Sequence, residues 1–185
     1  MKALVVSAAG VFLVTLPALP ANASVLSVGG PLSYNCYRAA ESQDTRASAV
    51  DGCTRALQEE NLDKSDYAAT LVNRGIIYAI QNRYDSAEAD YSEAGRLAPN
   101  LSEIWLNKAY LKIRQNKPSE ALGLLDQGMK LGAQRPAVAY LARGIAHEEL
   151  GDVAAAYKDL LRARDLEPAW ALPNRYLARY EVRGR

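Results

Sequence analysis

The chain has 185 residues, with 22 lysines and arginines against 21 aspartates and glutamates, one histidine and two cysteines. This length suits a single domain once any leader is removed. The balanced charge provides no basic excess to neutralise phosphates, which argues against nucleic-acid binding. One histidine and two cysteines are also too few for the usual zinc sites, so no metal or other cofactor is expected.

The first 23 residues have the features of a secretory signal peptide. Met1-Lys2 supplies a short positive start, residues 3–16 are almost wholly apolar, and Ala21-Asn22-Ala23 matches a small-x-small cleavage site. The alternative is an uncleaved membrane anchor, but the apolar run is shorter than the roughly 20 residues that span a bilayer, and Pro17 interrupts it. We therefore predict cleavage after Ala23, export to the periplasm or secretion, and no membrane span afterwards.

A short leader and an irregular first unit follow the predicted cleavage site. Residues 24–32 contain Gly29-Gly30-Pro31 and little else, so we expect a flexible leader, with the helical domain running over 33–182. The unit over 34–67 has the length of the later repeats but carries Glu41 where they have a small packing residue. It is predicted to be a divergent N-terminal hairpin.

From residue 68 the chain repeats at intervals of 34 or 35 residues. Units are predicted over 68–101, 102–136 and 137–170, followed by a capping helix over 171–182. Such a period with small residues at fixed offsets indicates stacked helical hairpins, because two helices approach closely only where a side chain is small. No single hairpin buries its own apolar face, so stability must come from stacking. The corresponding residues are Gly75, Ala109 and Gly144, then Ala87, Ala121 and Ala156, then Tyr91, Leu125 and Leu160.

The first of these units resembles the tetratricopeptide repeat almost position for position. The later units resemble it with departures, since Lys112 and His147 stand where the repeat favours an aromatic residue. The resemblance implies an all-α fold, a right-handed superhelical array of antiparallel hairpins with a C-terminal capping helix. The residues that carry it are Leu71, Gly75, Tyr78, Ala87, Tyr91, Ala94 and Pro99.

Cys36 and Cys53 are candidates for a disulfide, because an exported chain with an even cysteine count favours one. In strict repeat register the two residues would be offset by about eight positions, or roughly 12 Å along the helix axis. A disulfide needs Cα atoms within about 7 Å. Either the bond does not form, or the first helix is short and its turn comes early, near Asp44-Thr45. Export favours the bond.

The resemblance also implies a binding surface, since the first helices of tetratricopeptide arrays line a concave groove. The middle of this groove would be apolar here, which suits an extended or helical peptide with apolar anchors. The alternative is that this face packs on the terminal helix or within a tight array. Asparagines occupy clamp-type positions without basic partners, so a carboxylate clamp is disfavoured. The candidate contacts are Val72, Asn73, Ile76, Leu106, Asn107, Tyr110, Leu141 and Ile145.

No arrangement of residues points to catalysis. His147 is the only histidine, and it occupies a position that normally packs inside the hairpin, so Ser/His/acid or Cys/His chemistry has no foundation. We therefore predict a non-enzymatic scaffold that binds another protein or a peptide. The alternative is a self-associating or permanently docked structural subunit of a cell-envelope complex. The sequence determines neither the partner nor the oligomeric state.

Overall fold

The computed structural model describes residues 3–6 and 29–183, and helices make up nearly all of the described part. The predicted signal peptide lies outside the described residues except for Ala3–Val6, and the predicted leader does so except for residues 29–32. The helical domain begins at Pro31, slightly before the predicted start. The helices of the described part are α1 (Pro31–Glu41), α2 (Ala47–Glu59), α3 (Lys64–Ile80), α4 (Tyr84–Leu97), α5 (Ser102–Arg114), α6 (Pro118–Lys130), α7 (Pro136–Glu149), α8 (Val153–Leu166) and α9 (Ala171–Leu177).

Successive helices pair as hairpins, and each hairpin packs on the next. The pairs α3/α4, α5/α6 and α7/α8 make the most extensive contacts, and α2/α3, α4/α5 and α6/α7 join neighbouring hairpins. Two clusters of buried apolar side chains run through the array, one over α1 to α5 and the other from α5 to the C-terminal segment. Helix α5 contributes side chains to both clusters, so the two apolar cores adjoin at the middle hairpin of the stack.

The same backbone turn ends the first helix of every hairpin. Gln43, Asn82, Asn116 and Gly151 have positive φ angles of 55°, 62°, 59° and 79°. In each turn, the amide of the following residue donates to a carbonyl five positions back, as Arg83 does to Tyr78 at 2.9 Å. This is the Schellman arrangement, which satisfies the last carbonyls of a helix. Its presence after α1 makes the divergent first unit a hairpin of the same type.

The small residues lie at the closest approaches between helices, as predicted. A methyl group added at Gly75 would lie 2.5 Å from Cε1 of the buried Tyr91 ring. One added at Gly144 would lie 3.0 Å from Cγ of Leu160. Ala87, Ala121 and Ala156, the small residues of the second helices, are all fully buried.

Cys36 and Cys53 are joined by a disulfide whose Cα atoms lie 4.7 Å apart. The early turn makes this possible. Helix α1 ends at Glu41, which is 39 residues before the end of α3 at Ile80, whereas α3 and α5 end 34 residues apart. The shorter helix places both cysteines a similar distance from the turn, and antiparallel packing then brings them together. The early-turn alternative is therefore the correct one.

The C-terminal segment differs from the predicted capping helix over 171–182. Helix α9 ends at Leu177, and Tyr180–Arg183 forms strand β2, which pairs antiparallel with strand β1 (Ala3–Val6). Tyr180 is 8% exposed, and its ring lies 5.6 Å from the ring of Tyr157 on α8. Cross-strand pairing and this aromatic contact outweigh the local helical periodicity from which the longer helix was predicted.

Candidate functional site: the inner face of the array

The eight predicted contacts lie on the first helices α3, α5 and α7, and α5 contacts both of the others. Residues spaced by three or four along a helix share a face, and stacking places these faces side by side. Seven of the eight side chains are no more than 4% exposed, and Tyr110 is half-buried. The structure therefore supports packing within a tight array, the alternative left open by the sequence. These residues form the floor of the inner face and present little free surface.

Polar bonds fix the central part of this floor. The Tyr110 hydroxyl donates to the carbonyl oxygen of Val138 at 3.0 Å, which ties α5 to α7. Burial raises the pKa of Tyr110 above its ordinary value, which is already well above neutral pH. The Asn107 amide donates to the carbonyl of Glu103 on its own helix at 2.8 Å. Both side chains thus hold neighbouring backbone.

Asn73 is fully buried, and neither polar atom of its amide has a hydrogen-bond partner in the described part of the chain. An unpaired buried polar group ordinarily costs about 1–3 kcal/mol. Among the eight predicted contacts, Asn73 is the clearest case of unused hydrogen-bonding capacity in the floor.

The C-terminal segment covers one end of the inner face. Arg179 donates to Glu148 near the end of α7 at 2.7 Å, and Tyr176 and Tyr180 belong to the same buried cluster as Leu141. Burial raises the pKa of Glu148, and the nearby Arg179 offsets part of this effect. The terminal segment therefore closes the third hairpin.

The accessible side chains of this face form a rim near the turns. Ile80, Arg114 and Glu149 each lie four residues after a predicted contact on the same helix and are half-buried or exposed. Arg114 donates to the Asn82 side chain at 2.9 Å, and its Cζ lies 5.9 Å from the centroid of the Tyr84 ring. We call Ile80, Tyr110, Arg114 and Glu149 the rim. Apart from Tyr110, these residues were missed by sequence reasoning, although a four-residue step along the helix would have found them.

Ion pairs between helices were also missed from the sequence. Arg74 on α3 binds both carboxylate oxygens of Asp90 at 2.8 and 2.9 Å and contacts Thr54 on α2 at 3.0 Å. Arg143 on α7 repeats the arrangement with Asp159, 16 residues further on, and with Asp126 on α6. An arginine followed 16 residues later by an aspartate recurs in two repeats, and this pattern would have indicated the ion pairs from the sequence.

The outer face carries a cleft of about 520 Å³ between α7 and α8. His147 lies in it, with Nδ1 4.0 Å from a carboxylate oxygen of Asp152. The charged groups of Arg143 and Asp159, which also line the cleft, are already bonded to each other. Among residues 3–6 and 29–183, no cluster of three or more histidine, cysteine or acidic side chains could hold a metal ion. Within those same ranges no helix has the length and apolar character to cross a bilayer.

Comparison with known proteins agrees with this architecture. The family model described as Tetratricopeptide repeat matches residues 78–145. The solved first TPR domain of RPAP3 (Spaghetti) bound to the HSP90 peptide SRMEEVD is similar at 27% identity, with a TM-score of 0.58, over 62% of this chain and 90% of that one. The first TPR domain of human RPAP3 is similar at 27% identity and a TM-score of 0.57, over 60% of this chain and 87% of that one.

Another solved structure shares the fold over more of the chain. The crystal structure of PilW, described as a widely conserved type IV pilus biogenesis factor, has 22% identity and a TM-score of 0.66. The match covers 80% of this chain and 69% of PilW. No curated protein matches the chain by sequence. The family match over part of the chain and the structural similarities together support the tetratricopeptide-repeat fold expected from the sequence.

Proposed function

We propose that this chain is an exported, non-enzymatic scaffold that binds a protein or peptide across the inner face of its hairpin array. The observation that carries the proposal is that the first helices α3, α5 and α7 lie next to one another, so that three repeats contribute side chains to one face of the array. A face bordered by accessible side chains is a surface for recognition, and it lacks the paired acid, base and nucleophile that catalysis requires.

The buried and accessible residues would have different roles in this surface. Val72, Leu106 and Leu141 are buried, so they set the spacing and curvature of the first helices. Direct contact would fall to the rim, where Arg114 supplies a cation and Ile80 an apolar side chain. This is a mixed surface that fits an extended segment with an apolar anchor beside an acidic group. The peptide-bound RPAP3 domain, similar over most of its length, supports a peptide as the kind of partner.

Export is supported by two features of different kinds. The first 23 residues read as a signal peptide. The Cys36–Cys53 disulfide is typical of a protein that resides in an oxidising compartment, the periplasm or the extracellular space. Mass spectrometry of the exported protein should find Ser24 as its first residue, and Met1 there would contradict this part of the proposal.

The binding proposal is tested by capturing partners from an envelope extract with the mature chain and a rim variant. The double variant Ile80→Ala/Arg114→Ala changes accessible side chains, so it should leave the array folded while captured partners fall at least fivefold. Tyr110→Phe is the companion variant, since it removes the hydroxyl bond to Val138 and keeps the ring. It should retain partners.

Undiminished capture by the rim variant would refute the inner face as the binding surface. The alternative of a self-associating subunit is tested separately by sedimentation of the mature chain over a range of concentrations. A mass that rises with concentration, and does so equally in the rim variant, would favour the structural-subunit alternative.

A further inference from the structure

The C-terminal end of the array carries a short two-stranded sheet. Under the proposed export, one of its strands would be removed with the signal peptide and the other would remain. Strand β2 (Tyr180–Arg183) pairs antiparallel with β1 (Ala3–Val6), in a register that places Leu4 opposite Val182 and Val6 opposite Tyr180. Strand β1 also lies beside α8. Cleavage after Ala23 would remove β1 and leave β2 as an open edge.

We propose that β2 in the mature chain accepts an extended apolar strand of a partner protein by strand addition. The inference rests on the proposed export, because only signal cleavage vacates the edge. It is independent of the inner face, which lies on the first helices. An open strand edge presents unpaired backbone N–H and C=O groups that template a further strand.

Strand β1, which pairs with β2 in the structure, indicates the chemistry of a partner strand that could replace it. The four paired residues of β1 are Ala-Leu-Val-Val, an uncharged apolar segment with two β-branched residues. Such segments favour extended backbone and gain from packing on an apolar surface. A partner strand of the same character, four or more residues long, fits this edge. Because successive side chains of a strand point to opposite faces, the register of the partner strand depends on which alternate side chains face the array.

Two buried tyrosines lie at the start of β2 and just before it. Tyr180 begins β2 and is buried, and its ring packs against Tyr157 of α8. Tyr176 of α9 is also buried, and its hydroxyl has no hydrogen-bond partner in the described ranges. The tyrosine rings next to the backbone edge supply contact area for an apolar strand. The tyrosine hydroxyl supplies a hydrogen-bonding group for the backbone of that strand.

The β2 segment should stay anchored when β1 is absent, because the rest of the fold does not depend on β1, and a partner strand would restore the pairing that keeps the segment extended. The buried clusters that hold the array together consist of residues between Cys36 and Tyr180. The start of β2 is held by the Arg179–Glu148 ion pair at 2.7 Å and by the Tyr157–Tyr180 ring contact. A chain beginning at Ser24 therefore keeps both cores and the anchor of β2.

The test uses a fluorescent peptide with the sequence of residues 1–8, titrated into the chain that begins at Ser24 and, as a control, into the uncleaved chain. Fluorescence anisotropy should show saturable binding to the mature chain and none to the uncleaved chain, where β1 occupies the edge. A mature chain ending at Arg179 should not bind, and circular dichroism checks that its helices remain. The rim variant Ile80→Ala/Arg114→Ala should bind as well as the parent does.

Two N-methylated peptides identify strand pairing as the mode of binding. Successive N–H groups of a strand point to opposite sides, so only one of Leu4 and Val5 directs its N–H at β2. Methylation at that residue should weaken binding about tenfold or more, since one lost hydrogen bond is worth roughly that factor. Methylation at the residue whose N–H points away from β2 removes no such bond, so it should change the affinity by less than about twofold.

Several results would overturn the inference. These are no binding to the mature chain, equal loss with both methylated peptides, or full binding by the chain ending at Arg179. An exported protein that still begins at Met1 would also overturn it, while leaving the proposal for the inner face intact. Loss of partner capture by the rim variant together with normal peptide binding would show that the two surfaces act separately.

Discussion

Reduction of the Cys36–Cys53 disulfide should destabilise the N-terminal hairpin and leave the remainder of the array nearly unchanged. The bond closes a loop with a sequence separation of 17 residues. The loss of chain entropy on cross-linking a loop of that size corresponds to about 3 kcal/mol of stability at 25 °C. Stability in a stacked array depends on each repeat and its nearest neighbours, so the effect should remain local.

Hydrogen exchange followed by mass spectrometry measures this effect region by region. The mature chain is compared with and without a reductant, which leaves every other side chain in place. Peptides from α1 and α2 should exchange much faster after reduction, those from α3 somewhat faster because both helices pack on it, and those from α7 and α8 at an unchanged rate. The control is Cys36→Ala/Cys53→Ala, whose exchange should not respond to the reductant.

Two outcomes would refute this reasoning. Unchanged exchange in α1 and α2 would mean that packing alone holds the first hairpin, and that the early turn after Glu41 does not depend on the bond. Equal acceleration in α1 and α8 would mean that the array unfolds as one cooperative unit, contrary to nearest-neighbour stability.

Further predictions concern packing, ion pairs and pH. Gly75→Ala should lower the free energy of unfolding by about 1–2 kcal/mol in a urea titration, because overpacking against Tyr91 exceeds the gain in helix propensity. Arg143→Met should lower it by about 3 kcal/mol in the same assay, because a buried aspartate on α8 loses its partner. Glu148→Gln should raise the free energy of unfolding at neutral pH. Burial raises the folded-state pKa of Glu148, so its ionised form destabilises the folded state at neutral pH. The gain should disappear as the pH falls below about 4.5, where the carboxyl is protonated in both states. Glu88→Gln should do the opposite, since burial of Glu88 is outweighed by its bonds to two lysines and its pKa is lowered; the stability that it contributes is lost as the pH falls.

Matched variants separate these effects from general damage. Gly52 lies within α2 with no atom near the position of an added methyl group, so Gly52→Ala should stabilise the chain where Gly75→Ala destabilises it. Adding Asp159→Asn to the Arg143 variant should restore part of the lost stability, because the unpaired charge is removed. The pH reasoning fails if the two glutamine variants shift stability in the same direction at neutral pH.

Much of the fold was predictable because its signals are local and repeated. Small residues at Gly75, Gly144 and Ala87 recur at helical offsets, and the turns follow at fixed distances from them. Each of these features acts through a contact within one hairpin or with the next, so the sequence pattern reports it directly. The hairpin boundaries, the all-α class and the closest helix approaches follow from these short-range constraints.

The candidate site was predictable in position but not in accessibility. The sequence places Val72, Leu106 and Leu141 on one face of successive first helices, and in the structure all three are buried, with Leu106 and Leu141 in one apolar cluster and Val72 in the other. Whether that face is open depends on how tightly the helices stack and where the C-terminal segment lies. The repeat pattern shows which residues face a neighbouring hairpin, but it does not show how closely the helices approach or what covers their exposed face, because both depend on the packing of the whole array.

The repeat period and the sizes of the small residues are enough to predict that hairpins form, where they turn and where their helices approach, because these features act within about one repeat. Contacts between distant parts of the chain account for the early end of α1 that joins Cys36 to Cys53, for the packed floor of the inner face and for the strand Tyr180–Arg183. Each of those outcomes is a competition between a local preference and a distant partner. The contact with the distant segment outweighs the local preference where it buries apolar surface or pairs backbone N–H and C=O groups that would otherwise lack partners.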